Sequence, residues 1–260
     1  MDQEQFGILK LTGFASCFLI VALMQWFFPY RKIGKKILAN WSRNLPLAFV
    51  NAGLMSLVCA GCVCLWSVYL QENKIGLFNF VSTPIWLSMA LAIVLLDAVA
   101  YFWHRMNHKF SWLWRFHSVH HTDRVFDAST AVRFHIGELL TSLGIRLLTV
   151  TIFGLSVPSI LLFELIFQFF NIFEHGNVRL PLKTEGIFAK IFVTPALHRK
   201  HHSIQVDELN TNFGTIFSFW DRLGVSYRAS DSQEQITVGI PGDGKDHSLS
   251  SLLVLPFKRN

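Results

Sequence analysis

Long apolar runs constrain the fold of this chain more than any other feature. Residues 11–29, 45–70 and 85–103 are predominantly apolar, and each run is as long as the about 20 residues that a helix needs to cross a bilayer. Over the whole chain, 52% of residues are hydrophobic and only 15% are charged, whereas about 25% are charged in soluble domains. The sequence therefore predicts an integral, multi-pass membrane protein.

Two shorter apolar runs follow, at residues 139–155 and 158–172. They meet at the segment Gly154-Leu-Ser-Val-Pro158, which is a typical turn signal. We expect a helical hairpin that either spans obliquely or enters the membrane and returns. The predicted fold is all-α: a polytopic membrane protein with three long transmembrane helices, a short helical hairpin and a cytoplasmic helical cap that holds a histidine-rich dimetal site.

The distribution of basic residues predicts the orientation. Four basic residues follow the first run at positions 31–36, five lie between Arg105 and Arg133, and ten lie from Arg179 onward, whereas residues 71–82 hold only Lys74. The N-terminus is then outside, and the histidine clusters and C-terminus are cytoplasmic. This topology accounts for the net charge of +6, and no basic groove or motif indicates a nucleic-acid partner.

Eight of the 11 histidines fall into three tight groups that follow apolar runs. Two copies of His-x-x-His-His and one His-x-x-x-His make up these groups, whose members are His104, His108, His117, His120, His121, His198, His201 and His202. On a helix, positions i, i+3 and i+4 share a face, so the imidazoles of each group converge. So many polar rings beside a bilayer would be costly without a partner, and the pattern predicts metal binding.

Imidazole suits zinc, copper, iron and nickel, so the spacing leaves the metal open. One tetrahedral zinc needs four ligands, whereas eight histidines are enough for two metals with open positions. Such a centre favours oxygen or water chemistry over a purely structural role.

Further polar residues stand out near these groups. His175 at the end of the hairpin is a ninth candidate ligand, and Asn171 is either a ligand or an interfacial cap. Asp97, inside an apolar run, is expected to orient a ligand histidine or a neighbouring arginine. Three roles stay open for His135: metal ligand, support of a ligand, or interfacial anchor. Asp127, Arg133 and Glu138 are further candidates for supporting ligands or contacting substrate.

The ordered motifs resemble the fatty acid hydroxylase superfamily, also called the sterol desaturase family. The motifs are His104-x-x-x-His108, Leu113-Trp-Arg-Phe-His117-x-x-His120-His121, Asp127-x-Ser-Thr-Ala-x-Arg133-x-His135, His198-Arg-x-His201-His202-Ser, Asn212-Phe-Gly214 and Trp220-Asp-Arg-Leu223. Within the family, the chain is most similar to the bacterial and alkylglycerol-monooxygenase-like branch. It departs from that branch at Ile136, where proline is usual, and after Leu223, where Gly-Val-Ser follows.

The resemblance implies a non-haem di-iron enzyme that uses O₂ and external electrons to hydroxylate or desaturate a lipid or sterol-like substrate. The eight clustered histidines would be the iron ligands, with His175 as a further one. A lipid from the bilayer and a separate electron-donor protein are the implied partners, and the bacterial inner membrane is the implied location.

The sequence divides into an N-terminal transmembrane region at residues 1–84, a catalytic domain at 85–228 and a C-terminal tail at 229–260. Two other functions stay open on the residues alone. A metal transporter or sensor would use the same histidines, but transport sites usually lie near the bilayer midplane. A zinc hydrolase would need a general base such as the glutamate of His-Glu-x-x-His, which is not seen.

Overall fold

A computed structural model describes residues 3–59, 61–81, 83–231 and 234–258. The helices in chain order are α1 (Gln3–Phe27), α2 (Lys36–Cys59), α3 (Cys62–Glu72), α4 (Leu77–Phe80), α5 (Ile85–Lys109), α6 (Ser111–His121), α7 (Ile136–Phe153), α8 (Val157–His175), α9 (Leu182–Phe188), α10 (Pro195–His201), α11 (Val206–Leu209), α12 (Phe219–Leu223) and α13 (Leu249–Val254), with 3₁₀ turns at Ala128–Val132 and Leu255–Phe257. Within these described ranges the structure has isolated bridges but no strand. The predicted all-α fold is confirmed.

Four segments are long and apolar enough to cross a membrane, and they support an integral membrane protein. They are Lys36–Phe80, which contains α2 to α4, and the helices Ile85–Lys109, Ile136–Phe153 and Val157–His175. The apolar part of α1, Leu11–Phe27, is shorter. Large apolar side chains such as Trp26, Leu57 and Trp86 are mostly exposed, as expected for a surface that faces lipid.

The expected hairpin forms between α7 and α8. Gly154 ends α7 in the left-handed conformation, with φ 63°, and the Ser156 side chain accepts a hydrogen bond from the Ser159 amide at the start of α8. Left-handed glycine and an N-terminal serine are the residues that such helix ends favour. The sequence signal at Gly154-Leu-Ser-Val-Pro158 therefore predicted the turn correctly.

The second apolar run is not one continuous helix. α2 ends at Cys59, and α3 begins at Cys62 after Gly61, which has φ 70°. This conformation is left-handed and interrupts an α-helix. The expectation of a single helix across residues 45–70 is corrected accordingly.

Helix α8 lies at the centre of the molecule and packs against α1, α3, α5 and α10. The main apolar core lies along this helix and includes the buried side chains of Val21, Leu96, Phe163 and Ile172. At the C-terminal ends of α5 and α8 the chain turns into short helices, and these ends carry His108 and His175. The long helices thus bring their histidine-bearing ends to one side of the apolar core.

Candidate metal centre

Nine histidines come together in two adjacent groups, one of five and one of four. The first group comprises His104, His108, His117, His121 and His201; the second comprises His120, His175, His198 and His202. In each group, one nitrogen of every ring lies within 4.8 Å of the corresponding atoms of the others. The rings of His121 and His202 stack across the two groups, with centroids 4.2 Å apart. The two groups therefore form one continuous cluster.

Each His-x-x-His-His motif divides its members between the two groups. His117 and His121 join the first group while His120 joins the second, and in the other motif His201 joins the first group while His198 and His202 join the second. Residues four apart lie on nearly the same line of a helix, whereas the residue between them is rotated away. One helical turn thus supplies both groups.

Main-chain carbonyls hold the outer nitrogen of several rings. The Nδ1 atoms of His104, His175 and His201 lie 2.9, 2.6 and 2.7 Å from the carbonyl oxygens of Phe213, Asn171 and Thr211. A carbonyl oxygen only accepts, so each Nδ1 carries the proton and donates it. The Nε2 lone pair of each ring is then left to face the interior of the group.

Several inner nitrogens are buried and have no protein partner. Nε2 of His104, His108 and His201 is enclosed without a hydrogen bond, and both ring nitrogens of His202 are in the same state. Such orphaned ring nitrogens are rare in folded proteins. They fit a donor set that is built to hold metal ions.

Short distances between imidazole nitrogens fit the same donor set. Nε2 of His175 lies 2.9 Å from Nε2 of both His120 and His198, and Nε2 of His121 lies 3.2 Å from Nε2 of His117. Imidazole nitrogens bind a metal at about 2.0–2.1 Å, so two ligands of one ion lie no more than about 4.2 Å apart. The observed distances are within this limit.

Burial favours the neutral form of five of these histidines. Burial, with a further contribution from neighbouring histidines, lowers the pKa of His120, His121, His198 and His202 well below the ordinary value. Burial and the neighbouring His117 lower the pKa of His201 to about 3. Only neutral imidazole binds metal, so these five histidines are in the binding state at neutral pH.

An apolar cavity of about 210 Å³ reaches the two groups from between α5, α7 and α8. His104, His117, His120, His175 and His198 lie at its inner end, and Leu96, Val99, Leu139, Phe163 and Phe167 line its apolar part. All three helices are apolar enough to cross a membrane. The cavity therefore connects the histidine cluster with the apolar layer of the protein.

Two carboxylates stand at the junction of the cavity and the cluster. Glu138 Oε1 lies 2.7 Å from Nδ1 of His117, so it holds that ring on the side away from Nε2. Glu174 was not singled out from the sequence; it is 1% exposed and its carboxylate lies 3.7 Å from Nδ1 of His198. Its position inside an apolar segment, next to His175, is the signal that could have identified it.

Asp97 contacts neither a histidine nor an arginine, which corrects the expected role. Its carboxylate accepts hydrogen bonds from the amides of Ile216 and Phe217 and from Nε1 of Trp220. It is fully buried, and these three bonds tie the 213–220 segment to α5. Since the carbonyl of Phe213 in that segment holds His104, Asp97 acts on the cluster only at a distance.

Asp127 and Arg133 also lie outside the two histidine groups. Asp127 caps the 3₁₀ turn by accepting from the Ser129 amide and accepts from Nε1 of Trp41 on α2. Burial and the nearby Asp123 raise the pKa of Asp127 to about 6. Arg133 donates to the Val119 carbonyl and to Thr122, so it secures the end of α6, which carries three of the histidines.

His135 and Asn171 do not contribute a side chain to either group. His135 caps α7 by accepting from the Gly137 amide, and its other nitrogen lies 3.2 Å from the Leu253 carbonyl. The side-chain amide of Asn171 donates to the Ala131 carbonyl. Each of these side chains thus makes a contact away from the two histidine groups, and a ligand role for either residue stays an untested prediction.

The profile of the fatty acid hydroxylase family matches residues 89–226, more than half of the chain. The chain is 30% identical to ornithine lipid hydroxylase OlsE of Rhizobium tropici over 68% of this chain and 52% of that protein. It is 26% identical to cholesterol 25-hydroxylase of Rattus norvegicus over 57% of this chain and 49% of that protein. It is 28% identical to alkylglycerol monooxygenase of Homo sapiens over 66% of this chain and 37% of that protein.

The resemblance to the family and to its bacterial and alkylglycerol-monooxygenase-like branch is confirmed by these matches. The chain spans about half the length of the first two of these relatives and less of the third. No solved structure matches significantly.

Proposed function

Since the chain belongs to the fatty acid hydroxylase family, we propose that it is a membrane-bound di-iron oxygenase that hydroxylates a C–H bond of a lipid or sterol-like substrate. One observation carries the proposal: two groups of buried histidines lie at the inner end of an apolar cavity between helices that can span a membrane. Relatives that hydroxylate an ornithine lipid or cholesterol support a lipid substrate. They give no support to a metal transporter.

The proposed reaction consumes one O₂, two electrons and two protons for each substrate. One oxygen atom enters the C–H bond to give an alcohol, and the other leaves as water. In the alternative outcome, desaturation, two hydrogens leave the substrate and both oxygen atoms become water. The electrons come from a separate donor protein, for which a basic cytoplasmic face is suitable.

Two iron ions, one in each histidine group, would supply the activation of O₂ and the removal of hydrogen. The five-histidine group offers His104, His108, His117, His121 and His201, and the four-histidine group offers His120, His175, His198 and His202. Imidazole is a suitable ligand for iron. Iron rather than zinc follows from family membership and is part of the proposal.

The chain's own residues position the ligands and exclude water. Carbonyl oxygens of Phe213, Asn171 and Thr211 and the carboxylate of Glu138 fix ring orientation, which raises ligand basicity. The apolar wall of the cavity places an alkyl chain beside the cluster and keeps water from the reacting centre. We place the cluster on the cytoplasmic side of a bacterial inner membrane.

Lipid profiling with ¹⁸O₂ tests the function. Membranes that contain the protein, its metal and a reductant are compared with membranes that contain His120→Ala, His201→Ala or the control His247→Ala. His247 lies outside both histidine groups and pairs with Asp243. We expect an ¹⁸O-labelled lipid with the wild type and with His247→Ala, and none with the other two. Wild-type membranes without any labelled lipid would refute the proposal.

A further inference from the structure

An ion pair lies inside the apolar segments, with its arginine on the wall of the cavity. Arg146 on α7 donates through Nη1 to Glu164 Oε1 on α8 at 2.9 Å, and Arg146 lines the cavity. The two side chains are 34% and 19% exposed. Charged side chains within spanning helices are rare and usually functional.

The position of this pair can be measured along the two helices. Arg146 follows Glu138 by eight residues on α7, and Glu164 precedes His175 by eleven on α8. At 1.5 Å per residue the pair lies about 12 to 16 Å from the histidine cluster. That is about half the thickness of the hydrocarbon layer.

A role in holding the hairpin together does not explain the pair. α7 packs against α2, α3, α5 and α6, and α8 packs against α1, α3, α5 and α10, so each helix is held in place without the pair. Lipid-facing helices associate readily without charges. The partial exposure of Arg146 on a cavity wall instead leaves the guanidinium, with five N–H donors in total, accessible from the cavity.

The chemistry of the pair selects an uncharged polar group. Arg146 and Glu164 together carry no net charge, so an anion that displaced Glu164 would leave a carboxylate uncompensated in an apolar layer. The oxygen of a hydroxyl or amide group accepts from arginine and carries no net charge. It can therefore bind beside the pair without separating the two charges.

We propose that Arg146, whose charge is balanced by Glu164, determines specificity by donating a hydrogen bond to an uncharged hydroxyl or amide group of the lipid, about 12 to 16 Å from the carbon held at the histidine cluster. This inference rests on the proposed function, which identifies the end of the lipid that reacts at the histidine cluster. The pair positions the substrate: it sets which carbon reaches the cluster and favours neutral lipids over those with an anionic group at that point.

Photolabelling tests the inference without turnover. Three C16 probes, with a diazirine at one end and a hydroxyl, methyl or carboxylate group at the other, are offered to the wild type in nanodiscs. Labelling of peptides from α5, α7 and α8 is then quantified. One good hydrogen bond to a charged group corresponds to about tenfold in binding, so we expect the hydroxyl probe to label about tenfold more than the methyl probe and more than the carboxylate probe.

The double variant Arg146→Met/Glu164→Gln removes both charges and keeps side-chain length. We expect it to lose the preference for the hydroxyl probe while the control Arg228→Met/Asp207→Asn, which removes an exposed ion pair, retains it. Equal labelling of the wild type by all three probes, a preference for the carboxylate, or an unchanged preference in the double variant would overturn the inference.

The wild-type comparison holds even if the double variant fails to fold. Because labelling needs no metal, O₂ or electron donor, its outcome is independent of whether a lipid is oxidised. A wild type that prefers the hydroxyl probe but forms no ¹⁸O-labelled lipid would refute the proposed function and leave the role of the pair in place.

Discussion

Each histidine of the cluster has two chemically distinct nitrogens, and neighbouring acceptors determine which one is left bare. For His104, His175 and His201 the acceptor is a carbonyl, and for His117 it is the carboxylate of Glu138. A backbone carbonyl carries no net charge, whereas a carboxylate places a negative charge beside the ring. Of these four acceptors, only the one that holds His117 belongs to a side chain, so only this one can be removed by substitution.

Substitution of Glu138 should weaken metal binding at the five-histidine group. Loss of an outer partner of a metal-bound histidine typically costs 10- to 100-fold in affinity. We expect Glu138→Leu to show a loss of about that size and Glu138→Gln, which can still accept a hydrogen bond, a smaller one. Metal titration of the stripped protein measures both, with the exposed Glu72→Gln as control. Wild-type affinity in Glu138→Leu would contradict the assigned contact.

The pH dependence of stability follows from the lowered pKa values of the buried histidines. In the unfolded chain these residues titrate near the ordinary value of about 6.5, whereas burial holds the pKa of His201 at about 3 in the folded protein. As the pH falls from about 6.5 towards 3, the unfolded state takes up protons that the folded state excludes, so stability decreases. Each such histidine contributes up to about 1.4 kcal/mol per pH unit.

We expect the melting temperature of the metal-free protein in detergent to fall steadily from pH 7 to pH 5. Bound metal should protect it in the upper part of this range, because protons and metal compete for the same nitrogens. A His247→Ala variant, which leaves both groups intact, serves as control and should follow the wild-type curve. A flat profile for the metal-free wild type would show that the histidines are not buried and neutral.

The candidate site was only partly predictable at this scale. Spacing singled out the eight clustered histidines, because i, i+3 and i+4 periodicity is local, and His175 was a candidate from its place at the end of the hairpin. The division of His117, His120 and His121 between two groups depends on where α8 and α10 approach, and no local pattern contains that information. Glu174 and the acceptors of His104 and His201 likewise depend on tertiary contacts.

At the scale of elements, the α7–α8 hairpin shows how a local signal determines a structure. Gly154 has φ 63°, and a Cβ atom there would lie 2.7 Å from the Ile75 carbonyl. The interruption at Gly61 was missed because glycine is common in apolar helices and no turn residue surrounds it. Glycine alone does not mark a break, whereas glycine followed by serine and proline does.

Gly154→Ala should therefore destabilise the hairpin. A left-handed alanine costs about 1–2 kcal/mol, and the approach to the Ile75 carbonyl adds to this because backbone must move. Gly144→Ala is a matched control, since it lies within α7 and its Cβ would meet nothing within 4 Å. Thermal unfolding should show a lowered melting temperature for Gly154→Ala and an equal or slightly raised one for Gly144→Ala.

The anchoring of the 213–220 segment to α5 depends on Asp97. In Asp97→Asn the side chain keeps one acceptor oxygen for three donors, so at least one buried N–H loses its partner, at about 1–3 kcal/mol each. We expect faster hydrogen exchange at Ile216 and Phe217 and a lower melting temperature. Asp246→Asn, at an exposed ion pair, should change neither. Unchanged exchange in Asp97→Asn would show that the carboxylate does not hold the segment.

At the scale of the whole molecule, the metal-free histidine cluster lowers the stability of the folded protein, and metal binding restores it. Folding brings nine imidazoles into a largely buried cluster in which several nitrogens have no partner, and each such group costs free energy. Metal ions satisfy these nitrogens only in the folded protein. Binding to the native state alone stabilises it by RT ln(1 + [L]/Kd), about 2.7 kcal/mol at a metal concentration 100-fold above Kd.

Removal of metal should consequently lower the melting temperature, and its return should restore it. Because the ligands form two groups, His108→Ala and His202→Ala should each reduce the metal content from about two ions per chain to about one and give part of the wild-type stabilisation. Combining the two substitutions should abolish most of it, since one ligand is then missing from each group. If either single variant loses both ions together, the nine histidines form one cooperative site instead of two adjacent ones. Metal analysis and thermal unfolding on the same samples separate these outcomes.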